Sequence, residues 1–477
     1  MGRRLFAFVM LVALSALPAM GESAEVRAAP DQRVGLDVTV YGDGLGMISD
    51  RRRLGLPSGR SQLVFEGISR EIIPASALLT SDAEFRVLAI EHGFDVLTPD
   101  ALLRRALGKE VGVVRVHPMT GEDTVERATV LSVRDGLVLR YRDRIETGVP
   151  GRLVFDSVPD DLPVTPTIVA SVEATAESDG DAAVDLSYLT EGLAWQADYV
   201  ADLDRAMDTM TIVGRAAVSN TTGADFENAS LALVAGDIRR VTTNAPDQAR
   251  TMMQSRASFA QEAMAAPLPE REAVGNYHIY RLPEPVTIAD RQSKQVALLD
   301  AGGVRVEREF VSESASVVYH AMPTDSLPQA ADVVLRFRNG EAAVGMPLPA
   351  GTIRVYMRDS SGVRRLLGED AIQPTPIGGA VEITPGRAFD VTVKRTQTDF
   401  VRSGLPDNVF ESAHRIEIRN AKDEAVTVKV VERLSPDWTI LKESVPHRKE
   451  AADRAVWRLD VAAGGTAEIT YRVRVQR

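Results

Sequence analysis

The stretch LSYLTEGLAWQADYVADLDRAMDTMTIVGRAAVSNTTGADFENASLALVAGD, residues 186–237, decides the fold class of this chain. Within it every odd position from Leu193 to Leu203 is apolar, and polar residues such as Gln196 and Asp198 lie between them. A period of two places successive side chains on opposite faces of a β-strand. The stretch therefore predicts a strand with one face in a core and the other in solvent.

The same alternation recurs on both sides of this strand. It is seen from Ile168 to Ala174, from Met210 to Val218, from Val426 to Val430 and from Ile469 to Val475. Polar residues rich in Gly, Asp and Asn separate these segments, and Ser178–Asp181 is interpreted as one such turn. Regular short strands joined by turns predict an all-β chain built from antiparallel β-sandwich domains.

One block departs from this plan. The sequence TPDALLRRAL predicts a short helix capped by Thr98, with Pro99 at its first position and Leu107 on its apolar face. Short strands with tight turns follow, which is typical of a small SH3-like β-barrel.

These patterns divide the chain into six segments. They are a signal peptide (1–21), an N-terminal β domain (22–95), the SH3-like barrel (96–159), the first part of a β-sandwich region (160–241), a flexible linker rich in Ala, Met, Gln and Pro (242–274), and a C-terminal β-sandwich region (275–477).

The first residues have the features of an export signal. Two arginines precede the apolar run Leu5–Leu17, and the small residues Ala19 and Gly21 precede an expected cleavage site before Glu22. The run is shorter than the roughly 20 residues that span a bilayer. We therefore expect export through a cleavable signal peptide, a periplasmic location and no transmembrane segment in the mature chain.

Composition excludes some classes of partner. The chain has 55 basic and 67 acidic residues, a formal charge of −12, and no cysteine. An acidic surface repels nucleic acid phosphates, so no nucleic acid partner is expected. Without cysteine, neither a disulfide nor a lipid attached at a cysteine is available.

Sequence motifs for chemistry are absent. The six histidines do not occur at metal-ligand spacings, and no nucleophile elbow, P-loop or dinucleotide fingerprint occurs. The sequence therefore predicts no catalytic, cofactor-binding or metal-binding residue. Distant Asp and Glu residues brought together by folding remain open as a route to glycan chemistry.

Two features are speculative ligand contacts. Arg51, Arg52 and Arg53 form a basic run that could hold a phosphate or an acidic polysaccharide, or could form a solvated hairpin. Trp438 lies at the edge of a turn and could stack on a sugar ring. Trp195 is in phase with apolar neighbours, which favours a place in the core.

Three stretches together resemble an uncharacterised family, domain of unknown function 4139, which occurs in proteins labelled mucoidy-inhibitor-like. They are LAWQADYVADLD, VSNTTGADFENASLALVAGD and YHIYRLPEPVTIADRQSKQVALLDAGGV. The residues that carry the resemblance are Trp195, Tyr199, Asn220, Gly223, Phe226 and Leu231. The resemblance runs from about residue 163 to the C-terminus and implies export and a β-sandwich fold, without established catalytic residues.

The N-terminal part is also similar to what accompanies this family. The stretch VTVYGDGLGMISDRRRLGLPSGRSQLVFEGIS resembles the small domain that usually precedes it. Many members carry a long coiled coil between the two domains. Here the SH3-like block stands in that place, so a function carried by the coiled coil does not transfer.

One pattern repeats late in the chain. HRIEIRN, residues 414–420, has the same plan as GRAAVSN, residues 214–220: an alternating strand that ends in Asn before a polar turn. Two sandwich domains of similar type would explain this similarity.

The sequence favours an exported, non-enzymatic envelope protein that interacts with other proteins or has a structural role. The alternative is an extracellular polysaccharide-binding or glycan-processing protein, which exposed aromatic residues would favour. The partner, whether envelope protein or polysaccharide, and the oligomeric state stay open.

Overall fold

The structure is a computed structural model, and it describes most of the chain. The described residues are 24–93, 96–117, 119–134, 136–148, 151–159, 162, 165–236, 269–274, 277–314, 327–340, 343–403, 409–435 and 437–476. The predicted signal peptide and residues 242–268 of the predicted linker lie outside them.

Strands make up nearly all of the regular structure, which confirms the predicted all-β class. Up to residue 191 they are β1 (Ala24–Ala28), β2 (Arg33–Tyr41), β3 (Leu45–Leu56), β4 (Gly59–Glu66), β5 (Leu78–Ser81), β6 (Phe85–Gly93), β7 (Glu110–Val116), β8 (Asp123–Ser132), β9 (Val138–Arg140), β10 (Ile145–Thr147), β11 (Arg152–Val154), β12 (Thr167–Ala174) and β13 (Ser178–Glu191). Among the described residues the one α-helix is α1 (Pro99–Arg105), and short 3₁₀ turns occur at Pro30–Gln32 and Pro74–Ser76.

The remaining strands follow in chain order. They are β14 (Leu193–Leu203), β15 (Thr209–Asn220), β16 (Phe226–Ala235), β17 (Glu270–Val274), β18 (Tyr277–Arg281), β19 (Val286–Ile288), β20 (Gln292–Arg305), β21 (Glu307–Glu313), β22 (Gln329–Arg338), β23 (Gly351–Arg358), β24 (Arg364–Ile372), β25 (Ala380–Ser403), β26 (Val409–Asn420), β27 (Val426–Arg433), β28 (Asp437–Glu443), β29 (Arg448–Ala451), β30 (Arg454–Val461) and β31 (Thr466–Gln476).

The chain divides into two compact units. The first contains the described residues within Met1–Asp37, Met47–Glu191 and Thr222–Phe226, and the second those within Val38–Gly46, Gly192–Thr221 and Glu227–Arg477.

In the first unit, one sheet has the strand order β1-β4-β12-β6, and β3, β13 and β5 are neighbours in another. The strands β4 and β12 pair antiparallel, with Ile168 opposite Phe65 and Ala170 opposite Leu63. These four side chains are fully buried. Alternation in both strands thus supplies the apolar face of this sheet.

A five-stranded antiparallel sheet, in the order β10-β9-β8-β7-β11, follows the helix in the first unit. Its core contains Ala106, Val111, Val113, Ala128, Val130, Leu137, Leu139 and Tyr141. Helix α1 begins as predicted, since the Thr98 hydroxyl oxygen accepts a hydrogen bond from the Ala101 amide. The prediction for Leu107 is wrong: the helix ends at Arg105, so Leu107 does not share its apolar face and is exposed.

The second unit contains two large sheets. One has the order β20-β15-β14-β23-β24, and the other has nine strands in the order β28-β31-β26-β25-β22-β21-β27-β30-β29. The core of the nine-stranded sheet includes Trp457, Tyr471, Ile416 and Val428. Among the described residues of this unit, two strand pairs are parallel, β14 with β23 and β21 with β27.

Strand β14 matches the alternation that predicted it. Trp195, Ala197, Tyr199 and Ala201 are buried, while the residues between them are partly or fully exposed. The prediction that one face of this strand lies in a core is confirmed.

Two local predictions are wrong. Ser178–Asp181 does not form a turn, because β13 begins at Ser178, whose hydroxyl oxygen accepts a hydrogen bond from the Leu56 amide at 3.0 Å. Residues at the end of the predicted linker are ordered into a sheet: β17, Glu270–Val274, pairs antiparallel with β18.

Three strands of the second unit end in the same way. Asn220 and Asn420, the two residues in the repeated sequence pattern, are fully buried at the ends of β15 and β26, and Asn339, which immediately follows β22, is also buried. Each donates its side-chain amide to backbone carbonyls: Asn220 to Ile288, Asn420 to Glu424, Val461 and Ala462, and Asn339 to Met346, Thr375 and Pro376. The third example, in the sequence RFRN, was not predicted.

Candidate functional site

The basic run Arg51–Arg53 lies inside strand β3, so its side chains alternate between the two faces. Arg51 and Arg53 are exposed, whereas the Arg52 side chain is completely buried. Its guanidinium binds the Asp50 carboxylate and the carbonyl oxygens of Ala28 and Glu66. A ligand-binding or solvated role for Arg52 is therefore wrong, because the side chain is buried and each of its three guanidinium nitrogens donates to an oxygen of the protein.

Trp438 is not an open stacking platform. Its side chain is buried, and its indole N–H donates to the Ala452 carbonyl at 2.7 Å. The Lys449 ammonium lies 4.5 Å from the ring centroid, and the His447 ring lies 5.3 Å away. The expected sugar-stacking role of Trp438 is contradicted, since its faces pack against the protein. Trp195 and Trp457 are also buried.

The second unit has an open cleft of about 490 Å³ where β14, β15, β20 and β23 end or begin. Asp202, Asp204, Arg205, Arg358 and Asp359 contribute its charged groups. Arg205 reaches across it and donates to the Asp359 carbonyl oxygen at 3.1 Å. The cleft therefore mixes both signs of charge in a shallow, solvated space.

Most of its carboxylates hold turns together. Asp204 accepts hydrogen bonds from the amides of Asp208 and Thr209, and although burial works to raise its pKa, these bonds hold the pKa below its usual range. The interaction with Asp204 raises the pKa of Asp208. A hydrogen bond from the Ser361 hydroxyl is the largest of the contacts that lower the pKa of Asp359. These carboxylates therefore bind groups within their own loops.

Asp202 differs from them. One of its carboxylate oxygens accepts a hydrogen bond from Arg364 at 2.8 Å, and the other is buried without a hydrogen-bond partner among the described residues. Through Arg364, the Asp202 carboxylate contacts strand β24.

Strand β24 forms one edge of its five-stranded sheet. Leu366 is 55% exposed and Leu367 is 37% exposed. The register of β24 against β23 shifts at this point, since Tyr356 lies opposite Leu366 and Val355 lies opposite Gly368. Leu367 therefore sits in a β-bulge, where two residues oppose one on the neighbouring strand.

Pro385 covers the inner side of the bulge. A Cβ added to Gly368, which has a φ of +157°, would lie 1.7 Å from the Pro385 carbonyl oxygen. Only glycine, which has no Cβ, can lie this close to the Pro385 carbonyl oxygen. The two leucines are thus presented at the edge by a backbone that is tightly packed from behind. Sequence reasoning missed this site, although the signal was present as an apolar pair inside RRLLGED.

A protein-family model, described as "Domain of unknown function (DUF4139)", matches residues 184–476. The chain belongs to this family. No curated protein matches it. In the part of the chain that the structure describes, no helix has both the length and the apolar character needed to cross a membrane.

The cleft and β24 both lie within the DUF4139 region. So do the six residues on which the resemblance to DUF4139 rests, and five of them are buried side chains: Trp195, Tyr199, Asn220, Phe226 and Leu231. The Tyr199 hydroxyl donates to the Pro349 carbonyl at 2.9 Å, and burial raises its pKa. The sixth, Gly223, has a φ of +77°, where a Cβ would meet the Arg70 side chain.

The DUF4139 region also encloses a polar cluster around His414. The Ser412 hydroxyl lies 2.9 Å from His414 Nε2, and Gln397 donates to the same hydroxyl. The His414 ring stacks on Tyr471, whose hydroxyl donates to Glu432. Because Ser412 is fully buried, its hydroxyl is not placed to attack a substrate from solvent.

Outside the DUF4139 region, the five-stranded sheet of the first unit has a groove of about 660 Å³. Its charged groups are already paired: Arg152 with Asp123 at 3.2 Å, and Arg115 with Glu146. His117 Nδ1 accepts a hydrogen bond from the Thr120 amide. Strand β24 is the stronger candidate because it exposes two adjacent leucines at a sheet edge.

Proposed function

We propose that this chain is an exported, non-enzymatic protein of the cell envelope that acts by binding another protein through strand β24. The observation that carries the proposal is the exposed pair Leu366 and Leu367 at a sheet edge. An edge strand offers unpaired backbone groups to an incoming strand, and exposed apolar side chains add contact area.

The alternative, a glycan-binding or glycan-processing protein, has less support. Sugar stacking needs exposed aromatic faces, and the three tryptophans of the chain are buried. The buried Ser412 also argues against a hydrolytic role for the Ser412–His414 pair. Export and a periplasmic location rest on the N-terminal sequence, with its arginines, apolar run and small residues.

The test is cross-linking in living cells. A photo-reactive amino acid at position 366 is expected to capture a protein, and Leu366→Glu is expected to remove that species from a general cross-linking experiment. Leu107→Glu is the matched control, because Leu107 is 53% exposed and Leu366 is 55% exposed. If position 366 captured no protein of any kind, the proposed function would be refuted.

Location is tested separately. Cell fractionation should place the protein in the periplasm, and N-terminal sequencing of the mature chain should begin at Glu22. A chain that keeps Met1 and stays with the cytosolic fraction would contradict the export proposal.

A further inference from the structure

Strand β24 carries a charge pattern that complements itself when reversed. Its sequence RRLLGED has two arginines before the exposed leucines and two acidic residues after Gly368. Arg364, Arg365 and Glu369 are exposed. An antiparallel copy of the same strand would bring basic residues to face acidic ones.

The ladder with β23 determines which side chains share a face. Glu369 lies opposite Arg354 and pairs with it at 3.3 Å. Leu366 lies opposite Tyr356, and the Arg364 guanidinium lies over the Tyr356 ring. Arg364, Leu366 and Glu369 are therefore on the outer face of the sheet. Because Leu367 is the extra residue of the bulge, Leu366 and Leu367 together occupy one position in the alternation of the strand.

A two-fold axis perpendicular to the sheet keeps outer residues on the outer face. With the axis at the bulge, the leucines of the two copies meet each other. Arg364 of each copy then lies opposite Glu369 of the other, and Arg365 lies opposite Gly368. Opposite charges directly across an antiparallel pair stabilise it. In this register an arginine faces a glutamate at each end of the interface.

We propose that the protein bound by β24 is a second copy of this chain, in an antiparallel, two-fold symmetric pair centred on Leu366 and Leu367. This inference rests on the proposed function and specifies its partner. A six-residue contact buries less surface than the roughly 800 Å² per partner of a standard interface, so the pair is a weak, reversible dimer.

The first test uses single cysteines, since the chain has none. Leu367→Cys lies beside the proposed axis and should form a disulfide-linked dimer under mild oxidation at least about tenfold faster than Leu441→Cys. Leu441 is the matched control, because it is 39% exposed and Leu367 is 37% exposed. Equal rates for the two variants would overturn the proposal.

The second test uses charge reversal and sedimentation over a concentration series. Arg364→Glu and Glu369→Arg should each weaken self-association by about tenfold, because two attractive pairs become repulsive. A mixture of the two variants should recover association, since each supplies the charge that the other lacks. Circular dichroism checks that both variants fold, and the recovery in the mixture excludes a general loss of structure.

The outcomes separate the two proposals. If the mixture failed to recover, or if Leu367→Cys cross-linked no faster than its control, the dimer would be refuted. Capture of a different protein at position 366 would then leave the proposed function standing with another partner. Capture of nothing would refute both.

Discussion

Replacing Arg52 by Ala should strongly destabilise the first unit, because its guanidinium is a structural group of the interior. Arg52 donates to both carboxylate oxygens of Asp50, to the Ala28 carbonyl and, at 2.8 Å, to the Glu66 carbonyl. Its guanidinium also lies 5.3 Å from the centroid of the Phe65 ring. The substitution removes all of these contacts at once.

The size of the effect follows from what is left behind. Removing one member of a buried ion pair costs about 3–5 kcal/mol, because the other charge stays buried. Asp50 keeps Arg33, which holds both carboxylate oxygens at 3.0 and 2.9 Å. The expected loss is therefore near the lower end, about 3 kcal/mol of the free energy of unfolding.

Hydrogen exchange read by mass spectrometry suits this measurement. Tryptophan fluorescence would not report directly on the first unit, because the three tryptophans all lie in the second unit. Peptides from β3 and β4 should exchange roughly a hundredfold faster in Arg52→Ala, since about 1.4 kcal/mol corresponds to a factor of ten. Arg51→Ala is the control: Arg51 is exposed and pairs with Asp185 at 3.4 Å, which is worth at most about 1 kcal/mol. Equal effects of the two substitutions would refute the reasoning.

Two further predictions concern the second unit. Burial lowers the pKa of His414, so the unfolded chain takes up the proton first, and the stability of this unit should fall as the pH drops below about 6.5. Tryptophan fluorescence melts between pH 7 and pH 5 should show this decline, His414→Gln should flatten it, and an unchanged slope in the variant would contradict the assignment. Asn420→Ala leaves three carbonyls without their donor and should cost about 2 kcal/mol in urea unfolding. Asp423→Ala, at an exposed position in the same turn, should change stability by less than about 0.5 kcal/mol, and similar losses for both variants would argue against a stabilising role of the Asn420 side-chain hydrogen bonds.

Strand identity is largely readable from local sequence. The alternation from Leu193 to Leu203 predicts β14 because the two faces of a strand are set by its own pleat. The helix at Pro99–Arg105 is predicted by Thr98 and Pro99, whose effects are also local.

Sheet membership and burial of charge are not readable in this way. Ser178–Asp181 has the composition of a turn, yet Ser178 starts a strand held by Leu56, a residue distant in sequence. Arg52 reads as one of three equal arginines, and only its distant carbonyl partners distinguish it. Trp438 is covered by His447 and Lys449, which reach it through the fold rather than along one strand.

The candidate site shows the same limit. The apolar pair in RRLLGED is visible in the sequence, but its exposure depends on the bulge opposite Val355 and on Pro385 behind Gly368. The bulge and the Pro385 contact both involve strands that are separate from β24 in the sequence. A sequence pattern alone does not separate such a pair from an ordinary core segment.

The buried asparagines also bear on how the protein ages. Asn339 precedes Gly340, a dipeptide in which the small second residue leaves the side chain open to attack by the next backbone nitrogen. In the fold, the Asn339 amide is held by the carbonyls of Met346, Thr375 and Pro376, and the Gly340 nitrogen donates to Arg338. Conversion of Asn339 to aspartate in an unfolded chain would replace a donor with an acceptor facing three carbonyl oxygens. The hydrogen bonds of the folded state thus oppose the loss of the amide that these three carbonyls require.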